Sequence, residues 1–333
     1  MDLLLGVLFS LFFGFVPMFL FAYLVYWTDR YEKEPLALLG GVFLWGAVIA
    51  AGAAFLINTI AGIGVYIFTN SESLTELSTG SAIAPVVEEL LKGLAVLLVF
   101  LFFRREFDSI LDGIVYAAIA ALGFAATENA YYIFSYGFAE DGIAGGLFLV
   151  FVRVFLVGWQ HPFYTAFIGI GLALARLNRS WAVRILAPLA GLGLAILTHS
   201  AHNTLAALLQ GEGGLFIGTI FDWSGWLVMF LFILWALYRE QRWISTHLRE
   251  EVSLGILTAK QYRTACSAWA QTAVRTAALF NGSYGRTRRF YQLTAELAHK
   301  KEQRLKLGEE GGNSQIIERL RGELSSLSPQ VPA

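Results

Sequence analysis

Two adjacent glutamates and a lysine lie inside an apolar stretch that is long enough to cross a lipid bilayer. The stretch runs from Ser81 to Phe103, and its segment PVVEELLKG places Glu88, Glu89 and Lys92 at membrane depth. Each ionised side chain costs several kcal/mol to bury in hydrocarbon, so such residues inside a span indicate a functional site. Carboxylates held there could take a proton from a water molecule or bind a metal ion.

Further acidic, imidazole and amide side chains lie at a similar depth in later apolar stretches: Glu128, His161, His199 and Asn203. With a helical rise of about 1.5 Å per residue, the glutamates of the first stretch lie roughly 10–12 Å below its outer end. Arg153 is expected at the outer interface, where its guanidinium can reach water. Four helices that present glutamate and histidine in one layer predict a shared polar site in the outer half of the bilayer.

The composition indicates that these residues belong to a polytopic membrane protein. Hydrophobic residues make up 56% of the 333 residues and charged residues 15%, whereas charged residues are about a quarter of soluble proteins. Runs of roughly 20 apolar residues can span a bilayer, and we predict seven, at 2–26, 37–62, 81–103, 109–136, 154–176, 182–208 and 214–238. The predicted fold is an all-α transmembrane helical bundle at residues 1–238, with a small helical cytoplasmic tail at residues 239–333 that turns at Asn281-Gly282.

The basic residues predict the orientation of the bundle. Of 24 lysines and arginines, 15 lie from Arg239 onward, and most of the others lie in the odd-numbered loops. Apart from Arg153, at the edge of the fifth predicted span, the even-numbered loops contain only acidic charges, at Glu72, Glu76, Glu140, Asp141 and Glu212. Because basic loops stay in the cytoplasm, we expect the amino terminus to be extracytoplasmic and the carboxy-terminal tail to be cytoplasmic.

Four short motifs resemble those of the PrsW family of membrane-embedded bacterial proteases. They are Glu88-Glu89-x-x-Lys92, Phe124-x-x-x-Glu128 followed by Asn129, His161-Pro162 and His199-x-x-x-Asn203, in the family's order and helix placement. The CAAX-processing and bacteriocin-processing proteases are distantly similar. The resemblance covers approximately residues 15–240. Asn203 stands where the PrsW pattern often has an acid, and His202 is an additional histidine inside the last motif.

The resemblance implies an intramembrane endopeptidase in a bacterial-type plasma membrane. Such an enzyme hydrolyses a peptide bond of a membrane-anchored protein near the extracytoplasmic side, and classically that substrate is an anti-sigma factor in a signalling cascade. The expected partners are the protein substrate and the lipid bilayer, with no nucleic acid. A proton- or cation-coupled transporter is the alternative, because transporters also place Glu, Lys and His near mid-membrane. A non-enzymatic sensor or scaffold is the third interpretation.

Two mechanisms are open for peptide hydrolysis, which needs an activated water, a proton acceptor and a group that stabilises the oxyanion. In the first, Glu128, His161 and His199 bind zinc, which is the cofactor we expect. Glu89 then acts as the base. In the second, which needs no metal, Glu89 activates the water directly and His161 orients it. His199 and Asn203 then donate hydrogen bonds to the oxyanion.

The two adjacent glutamates cannot have the same role, because neighbouring side chains on a helix point about 100° apart. Lys92 is four residues after Glu88, which is a favourable spacing for an ion pair. We therefore expect Glu88 to pair with Lys92 and Glu89 to face the reacting water. Asp222, near the start of the seventh predicted span, is expected to cap that helix.

Reporter fusions test the predicted orientation. A reporter that is active only outside the cytoplasm should be active after Ser73, Gly142 or Glu212 and inactive after Arg179 or Gly311, because the basic loops are retained inside. An inactive reporter after Glu212 would reverse the sixth span and remove its histidines from the shared layer.

Overall fold

The structure, a computed structural model, describes residues 2–209, 211–309 and 311–331. Within these residues the regular secondary structure is entirely helical, which confirms the predicted all-α membrane bundle. The chain divides into two compact units. The first contains Glu34–Ala175, Arg184–Leu231 and the residues up to Thr28, and the second contains Asp29–Lys33, Arg176–Val183 and the residues from Phe232 onward. The predicted domain boundary at residues 238 and 239 stays a prediction.

The helices of the membrane region follow one another with short connections. In chain order they are α1 (Asp2–Thr28), α2 (Leu36–Leu44), α3 (Ala51–Thr69), α4 (Glu72–Ser78), α5 (Ala84–Phe102), α6 (Ile110–Tyr132), α7 (Ala139–Val150), α8 (Gln160–Arg176), α9 (Trp181–Leu208) and α10 (Gly211–His247). π-Helical turns at Trp45–Ala50 and Thr79–Ile83 join α2 to α3 and α4 to α5. These joined helices are longer than the spans that the hydropathy pattern predicts.

Within the described residues, five helical segments are long and apolar enough to cross a membrane: Leu3–Thr28, Leu36–Thr69, Ile110–Arg176, Trp181–Leu208 and Gly213–Ser253. The third of them has 67 residues and covers both the fourth and the fifth predicted spans. Helix α5, the third predicted span, is absent from the five because it carries Glu88, Glu89 and Lys92. The multi-pass membrane architecture is thus supported, and the count of seven spans stays a prediction.

Residues between the fourth and fifth predicted spans form a helix that the sequence analysis did not predict. Helix α7 and the π-helical turn Phe151–Leu156 occupy them, so that α8 begins only at Gln160. The chain reverses at Gly142, whose φ of 62° is a conformation that residues with a Cβ rarely adopt. Helix α7 then packs closely on the preceding turn, where a Cβ on Gly145 would lie 2.5 Å from the Gly137 carbonyl oxygen.

Helix α6 lies at the centre of the first unit, since nearly all of its residues are buried. Small residues dominate its sequence, and they let helices approach closely in lipid, where association depends on packing. A Cβ on Gly169 of α8 would lie only 1.9 Å from the Gly113 carbonyl oxygen of α6. On the other side of α6, a Cβ on Gly123 would lie 2.0 Å from the Phe43 carbonyl oxygen of α2. These contacts fix the positions of α2 and α8 relative to α6.

The second unit contains a helical assembly larger than the hairpin that the sequence analysis describes. Its helices are α11 (Arg249–Ser253), α12 (Ala259–Ala265), α13 (Ala268–Phe280), α14 (Tyr284–Leu307) and α15 (Asn313–Leu327). The predicted turn is present, because α13 ends before Gly282, which has a φ of 71°. Apolar residues of α14 and α15 form a buried core, including Phe290, Leu293, Leu297, Ile317 and Leu320. A hydrogen bond from His247 lowers the pKa of Glu302 on α14 to about 2.

The substitution Gly169→Ala tests the close contact of α6 and α8. The added methyl group must displace the Gly113 carbonyl, and overpacking of this kind costs about 1–3 kcal/mol. We expect a lower midpoint of thermal unfolding for the detergent-solubilised protein. Gly193→Ala on α9 is the matched control, because no atom lies within 4 Å of its Cβ position. Equal midpoints for the two variants would contradict the close contact.

Candidate functional site

Helix α5 brings three ionisable side chains into the interior of the bundle. Glu89 and Lys92 are fully buried, and Glu88 is 6% exposed. Lys92 Nζ lies 2.5 Å from Glu89 Oε1 and 3.9 Å from Glu88 Oε2. The Lys92 ammonium also lies 4.5 Å from the centre of the Phe124 ring, which adds a cation–π contact. Lys92 therefore pairs closely with Glu89, whereas the sequence analysis predicted Glu88 as its partner.

Both carboxylate oxygens of Glu89 are occupied by protein groups. Besides Lys92, Oε1 lies 2.9 Å from His199 Nδ1. Thr165 Oγ1 donates a hydrogen bond of 2.8 Å to Oε2. A carboxylate held on all sides orients its neighbours, and it has little capacity left to take a proton from water. The prediction that Glu89 faces the reacting water therefore conflicts with this geometry.

Glu88 has the carboxylate oxygen that remains available. Among the described residues, Glu88 Oε2 is buried and has no hydrogen-bond partner. It lies 3.8 Å from His199 Nε2, and the other oxygen receives a long contact of 3.5 Å from Asn58 Nδ2. Buried polar atoms nearly always have a partner, so an exception of this kind calls for a ligand or a catalytic role.

Glu88, His161 and His199 form a group that fits a metal ion. One ligand atom from each lies within 4.8 Å of the others, and all three side chains are buried. One carboxylate with two imidazoles is a typical ligand set of catalytic zinc. The contact of His199 Nδ1 with Glu89 leaves Nε2 to face Glu88, as in the carboxylate–histidine–zinc arrangement. The structure thus groups Glu88 with the two histidines, where the sequence analysis predicted Glu128.

Glu128 lies beside this group and contacts one of its members. Its Oε2 lies 2.8 Å from His161 Nε2 and also pairs with Arg153 Nη2. The other His161 nitrogen, Nδ1, lies 3.1 Å from Lys92 Nζ. A metal ion would therefore replace one of these two contacts of His161. Glu128 is the most accessible of the three carboxylates, because 20% of its side chain is exposed.

Arg153 contacts side chains of α6, and its predicted position at the outer interface stays a prediction. Arg153 Nε donates a hydrogen bond of 2.8 Å to Asn129 Oδ1, and the guanidinium lies 4.1 Å from the centre of the Tyr132 ring. The unpredicted helix α7 lies between α6 and Arg153 in the chain, and it packs on the π-helical turn Ile133–Phe138 that follows α6. In the sequence, the signal for the pair of Arg153 and Glu128 was an arginine at a depth similar to that of an acidic residue.

Asn203 lies apart from the three grouped residues. Its Nδ2 donates a hydrogen bond of 2.8 Å to the Gly80 carbonyl oxygen, in the π-helical turn that precedes α5. A backbone carbonyl freed in such a turn needs a donor inside a membrane. Asn203 therefore joins α9 to the start of α5, and the predicted oxyanion role has no support from this contact.

A second polar cluster, which the sequence analysis missed, connects α8, α9 and α10. Gln160 Nε2 donates to Asp222 Oδ2 over 2.5 Å, and His202 Nδ1 lies 3.0 Å from Asp222 Oδ1. The prediction that Asp222 caps a helix is wrong, because α10 begins eleven residues earlier, at Gly211. Asp222 lies eight residues inside the predicted span 214–238, which is the depth of the other polar residues.

A cavity of about 350 Å³ adjoins this second cluster. Its lining is apolar apart from His202, Asp222 and Thr219, and it includes Gly214 and Gly218 of α10. The ring of Tyr164 connects the two polar groups, since it stacks on His199 at 4.8 Å and lies 6.3 Å from His202. Tyr164 therefore contacts both His199, a candidate metal ligand, and His202, which lines the cavity.

Comparison with known proteins identifies the family. The sequence model described as "PrsW family intramembrane metalloprotease" matches residues 34–237. The chain belongs to the PrsW family. It is 34% identical over 122 residues to Protease PrsW of Geobacillus kaustophilus, 36% over 121 residues to that of Clostridioides difficile, and 26% over 210 residues to that of Bacillus subtilis. These matches cover 37%, 36% and 63% of this chain, and 50%, 48% and 83% of the relatives. No solved structure matches the chain.

The chain thus spans about half the length of the two PrsW relatives that match it at 34% and 36% identity. The family match contains every predicted site residue, from Glu88 to Asn203, and also Gln160 and Asp222 of the second polar cluster. The carboxy-terminal part of the chain, from residue 238 onward, lies outside it.

Zinc titration of two glutamine variants distinguishes the two candidate ligand sets. Glu88→Gln should abolish stoichiometric zinc binding, because Glu88 is grouped with both histidines. Glu128→Gln should retain binding with an affinity about 10–100-fold lower, the usual effect of losing a residue that orients a ligand. Both variants keep shape and hydrogen bonding. Loss of zinc from Glu128→Gln alone would restore the ligand set predicted from sequence.

Proposed function

We propose that this PrsW family member is an intramembrane endopeptidase that hydrolyses a peptide bond of a membrane-anchored protein. The observation that carries the proposal is the unpartnered oxygen of Glu88, which lies beside two histidines inside the membrane region. A buried carboxylate oxygen without a hydrogen-bond partner, beside two imidazoles, is suited to receive a metal ion. The family description as a metalloprotease agrees with the chemistry of this donor set.

Glu88, His161 and His199 would hold the metal, for which zinc is our candidate. A bound zinc ion lowers the pKa of its water and polarises a carbonyl group. The residues around the ligands maintain their orientation: Glu89 accepts from the His199 ring, and Lys92 pairs directly with Glu89. Removing Lys92 would leave a buried carboxylate without its charge partner, which typically costs about 3–5 kcal/mol.

Glu128 is our candidate for the general base, in place of Glu89. It is the most accessible carboxylate of the layer, and it is in direct contact with His161. Arg153 pairs with Glu128 and is itself 19% exposed. A guanidinium at this position would provide positive charge and hydrogen-bond donors for an oxyanion.

The substrate segment would enter through the cavity beside α10. A peptide bond can be hydrolysed only when its helix is unwound, and unwound backbone inside a membrane needs hydrogen-bonding partners. His202 and Asp222 provide such groups at the cavity wall, and Gly218 leaves room for a polypeptide backbone, because no atom lies within 4 Å of its Cβ position. The substrate class that fits is a single-span membrane protein cut near the extracytoplasmic side, with an anti-sigma factor as the example that the resemblance implies.

Comparing cells that express the wild-type protein and Glu88→Gln tests this function. New amino termini of membrane proteins should appear with the wild type, and the variant should lower their yield roughly a hundredfold or more, as expected when a hydrolytic site loses a charge-stabilising group. The intact substrate should accumulate with the variant. Quantitative mass spectrometry of protein amino termini provides the measurement.

Glu76→Gln is the matched control, because Glu76 is an exposed glutamate of α4. It makes the same chemical change away from the site, and it should cleave like the wild type. Equal cleavage by Glu88→Gln at equal expression would contradict the proposed site. Loss of ion flux in Glu88→Gln without any change in cleaved proteins would favour the transporter interpretation.

A further inference from the structure

Helix α13 of the second unit exposes a face without a charged side chain. Its 13 residues run from Ala268 to Phe280. Trp269 is 75% exposed and Phe280 is 89% exposed, at opposite ends of the helix. Large aromatic side chains this accessible are uncommon on surfaces that face only water, and they mark sites of interaction.

The helical periodicity places these residues on one side of α13. At about 100° per residue, Trp269, Ala273, Thr276 and Phe280 lie within roughly 60° of one another. All four are exposed. The opposite side faces the unit itself, where Gln271 and Ala278 are buried and Gln271 Nε2 donates to the Ala265 carbonyl oxygen. The outer face is therefore the apolar one, which is the reverse of a helix on the surface of a soluble protein.

The chain around this face has only positive charge. Between residues 252 and 295 there are six basic residues and no acidic residue: Lys260, Arg263, Arg275, Arg286, Arg288 and Arg289. Lys260, Arg263 and Arg286 are exposed. Basic residues next to exposed aromatic rings are the combination that binds an anionic membrane surface, because the rings enter the headgroup layer while the charges attract phosphate.

A contact within the second unit joins one end of this face to the segment that follows α1. Arg30 follows the last residue of α1, Thr28, by two positions. The Arg30 guanidinium lies 5.6 Å from the centre of the Trp269 ring. The end of a spanning helix marks the headgroup region, where tryptophan and arginine are both enriched. Trp269 therefore contacts a residue that lies only two positions beyond the end of α1 in the chain.

We propose that α13 is a membrane-surface helix that binds anionic phospholipid through Trp269, Phe280 and the surrounding basic residues. The surface to which it binds is the leaflet from which α1 emerges at Thr28, which is the cytoplasmic leaflet in the predicted orientation. Binding there fixes the second unit against the bilayer. The proposal concerns residues outside the family match, so it does not depend on the proposed protease activity.

A single-cysteine variant of the full chain tests the proposal. Cys266 is the only cysteine, so Cys266→Ser combined with Thr276→Cys puts one thiol at the middle of the face. The thiol is labelled with a polarity-sensitive fluorophore, and the protein is placed in nanodiscs of phosphatidylcholine with or without phosphatidylglycerol. With phosphatidylglycerol, the emission should shift to the blue and quenching by acrylamide should fall about threefold. High salt, at about 1 M, should reverse both changes because it screens charges beyond roughly 3 Å.

Two further variants separate the charges from the aromatic rings. The first variant combines Lys260→Gln, Arg263→Gln and Arg286→Gln, and it should lose the response to phosphatidylglycerol. The second combines Trp269→Ser and Phe280→Ser, and it should lose the blue shift of the emission. Ser325→Cys, on an exposed position of α15, is the control site and should not respond to lipid composition. Equal quenching at Thr276→Cys in neutral and anionic nanodiscs would overturn the proposal. Protection that persists in high salt and in neutral lipid would instead indicate a protein partner or a second copy on this face.

Discussion

The membrane region of this protein depends on the ion pair between Lys92 and Glu89. Both side chains are fully buried, and removing one partner of a buried ion pair is strongly destabilising. The pair also determines what surrounds it. Glu89 accepts from Thr165 of α8 and contacts the His199 ring of α9, so one carboxylate connects three helices. The geometry of the candidate metal ligands follows from this connection.

Glu88 and Glu89 are adjacent in the sequence, but their different surroundings give them different roles. Glu89 is saturated with partners, and it serves to orient the residues around it. Glu88 points about 100° away on the same helix and keeps one oxygen without a partner. A catalytic layer inside lipid needs both roles, because an isolated reactive carboxylate would otherwise be neutralised by a proton.

Close helix packing makes the layer possible. Glycine pairs such as Gly113 and Gly169 let α6 and α8 approach until backbone atoms touch, and those helices carry Glu128 and His161. The short distance between their axes is what allows two short side chains to reach each other. The same principle applies on the α2 side of α6, where Gly123 meets the Phe43 carbonyl. Gly169 lies eight residues from His161, and Gly123 lies five residues from Glu128, so these small residues act on the site from one or two helical turns away.

The sequence by itself determined the membrane class, the all-α fold, the family and the set of polar residues at one depth. These follow from hydropathy, residue type and spacing, which are local properties of the chain. Only the tertiary structure decided which residues contact which. A three- or four-residue spacing allowed Lys92 to pair with either glutamate, and the approach of His199 and Thr165 from other helices selected Glu89. In the same way, Arg153, which follows the chain reversal at Gly142, pairs with Glu128 of α6, and Asp222 of α10 pairs with His202 of α9. Both contacts join residues that are far apart in the chain, so no local pattern of the sequence could predict them.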